Sequence, residues 1–166
     1  NTPIEVNVTD HKLTIGIRKS ELPGCDWTVF DNFTLTLQEL GDNSQYNPLG
    51  NGNPEIPDDL FEGASPENPI DITSLIINAD CSSSQGWKGS PKIGGLNSNP
   101  NAEKYNSTFD VYQIIENVPN GWYRLKAQGM YRYGTYSYEE AGGNNVMAML
   151  TIPYAPISKK LGVDRR

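Results

Sequence analysis

The chain has 166 residues, with 13 Lys and Arg against 20 Asp and Glu, a formal net charge of −7, and 16 Gly and 12 Pro. That length suits one ordinary domain with a real core and is tight for two. The acidic balance argues against nucleic acid, whose phosphates need clustered Lys and Arg, and no window approaches about 18 uncharged apolar residues, so no membrane span is expected.

The one basic cluster, Lys159, Lys160, Arg165 and Arg166, reads as a solvated tail. The start, Asn1-Thr2-Pro3, has neither Met nor a basic-then-apolar leader, which reads as a chain processed or excised from something longer. The Cys and His inventory is small: Cys25, Cys81 and His11. Without a Cys-x-x-Cys pair a structural zinc site is not expected, and the cysteines read as two separate thiols rather than a bridge. His11, beside Asp10, reads as a solvated turn residue. No nucleophile elbow, phosphate loop or dinucleotide fingerprint occurs.

In chain order, Ile4, Val6 and Val8 share one face of a strand and Leu13, Ile15 and Ile17 one face of the next, with Asp10-His11-Lys12 as the turn of a predicted β-hairpin. Residues 27–37 alternate as a long strand. Trp27, Val29, Asp31, Phe33, Leu35 and Leu37 are expected on one side, and Phe30 with its polar neighbours on the other. Residues 41–69 hold Pro48, Pro54, Pro57, Pro66 and Pro69 with many Asn and Gly, and read as a linker with at most one helical turn at residues 58–61. A short strand is expected at residues 72–77, and a loop over residues 88–106 with one short strand near Lys92-Ile93. Strands follow at residues 109–115, 122–133 and 146–152. No long helix is predicted, so the fold class is all-β, a sandwich or jelly roll.

Two groups of motifs carry a resemblance. The first is Asp71-Ile-Thr-Ser-Leu-Ile-Ile-Asn-Ala-Asp80, Gly86-Trp87, Tyr105, Phe109-Asp-Val-Tyr-Gln113, Val118-Pro-Asn-Gly-Trp-Tyr-Arg-Leu125 and Gly129-Met-Tyr-Arg-Tyr133. It resembles the opening half of the galactose-binding-like, carbohydrate-binding jelly-roll modules of surface proteins and glycoside hydrolases of gut Bacteroidetes. The departures are Ala79 and Cys81, in the first turn. The second is Val8-Thr-Asp-His-Lys-Leu-Thr-Ile-Gly-Ile-Arg-Lys19 with Asp26-Trp-Thr-Val-Phe-Asp-Asn-Phe-Thr-Leu35, which resembles the closing half. The halves stand in reverse order. The resemblance therefore implies closing strands in residues 1–40, a Pro/Gly/Asn-rich linker in 41–69 and opening strands in 70–166. A half sandwich leaves strand edges open. The two halves are thus expected to pack together as a permuted single domain or to be exchanged between two copies.

The resemblance also implies a bacterial cell-surface or secreted protein that binds a glycan without catalysis. Sugar C–H faces stack on aromatic rings, and hydroxyls seek amides, carboxylates and guanidinium groups. The candidate ligand-binding residues are Trp87, Tyr105, Gln113, Tyr131, Arg132, Tyr133 and Tyr136. Trp87 also reads as a core plug at the end of the sandwich, and Tyr112 as a cross-strand packing residue. Such modules often carry a structural calcium, and the resemblance places Asp31 and Asp80 as its ligands, assisted by Asn78 or a backbone carbonyl. A hydrolase would need two carboxylates facing each other across a cleft. Glu139-Glu140 and Asp58-Asp59 are adjacent and diverge in a strand, so no enzyme is expected. The other reading is a structural or adhesion spacer that contacts neighbouring modules or a second copy.

Overall fold

The computed structural model describes residues 3–19, 25–46, 59–90, 101–105 and 108–133; the predicted strand at 146–152, the predicted Lys92-Ile93 strand and Tyr136 lie outside them. The described residues form a sandwich of two antiparallel sheets. The strands are β1 (Ile4–Val8), β2 (Lys12–Lys19), β3 (Cys25–Leu40), β4 (Ile70–Asp71), β5 (Lys88–Ser90), β6 (Ala102–Tyr105), β7 (Phe109–Glu116) and β8 (Gly121–Tyr133). One sheet runs β1-β8-β3-β4, with β6 also pairing β3, and the other runs β2-β7-β5. Both sheets draw strands from either side of residues 41–69.

The hairpin predicted at residues 4–17 does not form. β1 pairs with β8 in one sheet, and β2 pairs with β7 in the other. The chain arches from sheet to sheet at residues 9–11, and β7 passes to β8 by a second arch at residues 117–120. The alternation is nonetheless the expected one. Ile4, Val6 and Val8 face Leu13, Ile15 and Ile17 across a single buried core, with Val111 and Ile115 of β7 and Tyr123 and Leu125 of β8.

His11 ties the two arches together instead of being solvated. It adopts a positive φ of 58°. Its backbone N–H donates to Asn120 Oδ1 at 3.0 Å, and its carbonyl accepts from the Val118 N–H at 3.1 Å. Nδ1 meets the Val118 carbonyl at 3.1 Å, which requires the proton on Nδ1. The Tyr46 ring stacks on the imidazole at 5.3 Å, and its hydroxyl donates to the Asn117 carbonyl at 2.8 Å.

β3 departs from strict alternation. Its pairing with β8 shifts register between Asp31 and Thr34, where Asn32 has φ 48°. Such a bulge turns the strand over by one residue. Phe30 is therefore buried before the bulge and Phe33, Leu35 and Leu37 after it, so Phe30 joins the core face from which alternation excludes it. The Phe33 N–H, freed from the ladder, donates to the Ala79 carbonyl at 2.8 Å.

The strand predicted at 72–77 is replaced by the two-residue β4 and a single 3-10 turn at Thr73–Leu75. Asp71 Oδ1 accepts the Thr73 N–H at 2.8 Å, and Thr73 Oγ1 accepts the Leu35 N–H at 3.0 Å. Such side-chain bonds offer the backbone an alternative to a ladder. Ile72 and Ile76 still reach the core, as does Phe61 from the Pro-rich stretch, at 5% exposure. In the region predicted as loop, β5 pairs with β7 and β6 with β3. Two glycines are set by the fold. A Cβ on Gly16 would run into the Val111 carbonyl oxygen of β7, and one on Gly121, at φ 155°, into the Glu39 carbonyl oxygen of β3.

Among the described residues no helix is long and apolar enough to cross a membrane.

Candidate functional site

Two places gather the residues singled out by the sequence. The first is the end of the five-stranded sheet where β3 lies between β6 and β8. Register pairs Trp27 with Tyr105 on β6 and with Arg132 on β8, so these three backbone positions form one row across three strands. Tyr131 and Tyr133 lie in β8 beside Thr28 and Cys25 of β3.

Trp27 is half-buried, and its position is opposite in parity to the buried Phe30. Its indole N–H donates to Glu103 Oε2 at 2.9 Å, a carboxylate projecting from the neighbouring β6. A charge-assisted bond of this kind holds the ring in one orientation. The sequence presents Trp27 as a strand residue within the Asp26–Leu35 motif and not as a ligand candidate. The signal that marks it, its position opposite Tyr105 and Arg132, exists only once the strands are paired.

The second place is the loop of residues 77–87. Asn78 and Cys81 both take positive φ, 50° and 58°. The Asn78 carbonyl accepts the Cys81 N–H at 2.9 Å and the Trp87 indole N–H at 3.1 Å, and the Asn78 side chain donates to the Gln85 carbonyl at 3.0 Å. Trp87 is half-buried against the core, with its ring 4.9 Å from that of Phe33 and tilted by 43°. Gln113 is 3% exposed. Its amide nitrogen donates to the Ile77 carbonyl at 2.6 Å, and its oxygen accepts the Ile77 N–H at 3.1 Å. It thus splices the loop onto β7 as a backbone pair would. Trp87 and Gln113 are brought to this loop, and Tyr105 and Arg132 to the Trp27 row. The seven candidates therefore do not form a single cluster.

Asp31 and Asp80 both act on the charge state of Cys81. Cys81 is free and fully buried. Burial first, then the charges of Asp31 and Asp80, push its thiol up to about 12. Desolvation raises the Asp31 carboxyl above its ordinary range, against a lowering hydrogen bond from Asn32. Asp80 is lowered by hydrogen bonds from Ser82, whose N–H lies 3.0 Å from Oδ1. Asn78 Oδ1 accepts from the Ser82 hydroxyl at 3.3 Å. Among the described residues no group of three or more His, Cys, Asp or Glu is placed to hold a metal.

A buried thiol with so high a pKa supplies almost no thiolate, the nucleophilic form. Iodoacetamide at pH 8 is therefore expected to leave Cys81 unmodified in the folded protein and to alkylate it fully in guanidinium chloride, read by peptide mass mapping. Alkylation in the native state at the denatured rate would contradict the packing of this loop.

Compared with protein-family models, with curated proteins and with solved structures, the chain matches none.

Proposed function

We propose that the chain is a non-catalytic glycan-binding β-sandwich of a cell-surface or secreted bacterial protein, with its ligand at the β6–β3–β8 end of the five-stranded sheet. The observation that carries this reading is the row Tyr105–Trp27–Arg132 on three adjacent strands. A sugar ring needs an aromatic face for its C–H groups and polar groups at its rim. Trp27 supplies the face, already oriented by Glu103, so little side-chain freedom is lost on binding. Sites on strands also hold their geometry better than sites on loops.

A glycan microarray on the purified chain, run with calcium and with chelator, tests the reading. Trp27→Ala is expected to weaken the strongest hit by about tenfold or more, a loss of about 1.4 kcal/mol or more, while Trp27→Phe keeps most of the affinity. A calcium-dependent hit whose calcium requirement is lost in Asp31→Asn and in Asp80→Asn would assign those two residues as ligands. A blank array from a protein with a cooperative melt would reject glycan binding in favour of the spacer or adhesion reading. Undiminished binding by Trp27→Ala would reject this location.

A further inference from the structure

The outer face of the same sheet carries a second row at its other end. Register pairs Trp122 of β8 with Asn7 of β1 on one side and Glu39 of β3 on the other. All three side chains are exposed, and Trp122, at 44%, is the largest exposed apolar side chain of the described residues. The neighbouring row is Glu5–Arg124–Thr36. There Arg124 Nε and an Nη both donate to Glu5 Oε1, at 3.0 and 2.6 Å. The core takes Tyr123, Leu125 and Ala127 of β8, so alternation leaves Trp122, Arg124, Lys126 and Gln128 on the outer face.

This surround does not suit a protein partner. A stable interface buries about 800 Å² on each side around an apolar centre depleted of charge. Here one indole is ringed by a carboxylate, an amide and an ion pair, and the nearby exposed Leu40 lies one register pair further on. The chemistry matches a pyranose: a ring face for the C–H groups, with amide, carboxylate and guanidinium groups within a side chain's reach for the hydroxyls.

Residue 122 is ten positions along β8 from Arg132, the partner of Trp27, a span of roughly 33 Å at about 3.3 Å per residue. Between the two rows lie the Val29–Met130 and Asp31–Gln128 register pairs and then Lys126, so the path is polar only over the half next to Trp122. Lys126 is exposed, and Gln128 accepts a hydrogen bond from Asn32 at 3.0 Å. We propose that Trp122, with Asn7, Glu39 and Arg124, is a second sugar subsite, and that the ligand is an extended polysaccharide lying along β8 rather than a terminal sugar. This rests on the glycan-binding reading above and extends it to the ligand's length.

The probe is the polysaccharide that binds best on the array, together with its oligosaccharides of increasing length, titrated calorimetrically against wild type, Trp122→Ala, Trp122→Phe and Trp27→Ala. Wild-type affinity is expected to rise with chain length until both rows are reached. Trp122→Ala is expected to lose about tenfold or more on the polysaccharide and nothing on the shortest oligosaccharide that binds, and Trp122→Phe to retain most of the affinity. Oxidation of Trp122 by N-bromosuccinimide, read by mass spectrometry, is expected to be suppressed by the polysaccharide and not by the short oligosaccharide. Equal polysaccharide affinity in Trp122→Ala and wild type, or wild-type affinity independent of length, would overturn the second subsite while leaving glycan binding intact. A dimer by light scattering that Trp122→Ala dissolves would overturn it in favour of self-association. No binding of any glycan by the folded wild type would instead remove the underlying reading.

Discussion

Replacing Phe33 by Ala is expected to destabilise the domain by about 3–5 kcal/mol, the usual cost of deleting a buried aromatic ring. Phe33 is 2% exposed and sits where β3 bulges, so its ring meets Phe30 edge-on at 6.3 Å and Trp87 at 4.9 Å. Aromatic pairs in such geometries add about 0.5–1.5 kcal/mol beyond the area they bury. A chain of this size loses about 2–4 °C of melting temperature per kcal/mol, so the midpoint is expected to fall by on the order of 10 °C. The loss has a local signature as well. Trp87 loses the face it rests on, and its near-ultraviolet circular dichroism is expected to flatten before the melt begins. Phe33→Leu keeps much of the volume and is expected to cost far less. A loss under about 1 kcal/mol for Phe33→Ala would mean that this ring is not enclosed by the core and the 77–87 loop as described.

Gln113→Leu is expected to cost about 2–4 kcal/mol, because it strands two backbone groups at once. The Ile77 N–H and carbonyl both bond to the Gln113 amide, and neither has another partner in the ladders. Leucine fills the space and satisfies neither group, whereas burial of the apolar atoms changes little. Amide hydrogen exchange at Ile77 is expected to speed up well beyond that of the strands.

Gln113→Glu separates the donor from the acceptor. Its carboxylate can accept from the Ile77 N–H but sets a negative charge against the Ile77 carbonyl, in a site that desolvates it. Both effects raise the folded-state pKa of that carboxyl above its unfolded value. The variant's deficit is therefore smallest at acidic pH, where the protonated acid can donate to the carbonyl, and grows as pH rises through the folded-state pKa. Thermal melts at pH 4 and pH 7, compared with wild type, read this out. A variant deficit that is the same at both would show that Gln113 is not the donor to Ile77.

The strand positions in β1, β2, β7 and β8 were legible because alternation reports directly which side chains avoid water. The bulge in β3 was not. Asp31-Asn32-Phe33 reads as three ordinary strand residues until the chain finds Ala79 as a partner for the Phe33 N–H. The 3-10 turn at Thr73–Leu75 escaped for a similar reason. Its apolar run satisfies a strand pattern, and the competing bonds from Asp71 and Thr73 matter only with Leu35 alongside. Among the candidate site residues, Trp87 reads in the sequence both as a ligand residue and as a plug of the core, and its half-buried ring packs on Phe33. Gln113 was read as a ligand residue because an amide in a polar-aromatic strand looks available, and nothing local shows that Ile77 comes to meet it.

Composition and periodicity alone determined that this is an all-β chain with a core drawn from alternating strands, since burying apolar side chains on one face of a strand requires no knowledge of its neighbours. Which strands are neighbours was decided by the tertiary structure. An alternating run fits equally well beside the next strand in a hairpin or facing it across a core, because the same faces are buried either way. Only the arches at residues 9–11 and 117–120, locked together by His11 and Asn120, choose the second arrangement. The same choice pairs β8 with β3 and β1. It thereby sets Trp27 between Tyr105 and Arg132, and Trp122 between Asn7 and Glu39, at opposite ends of one sheet.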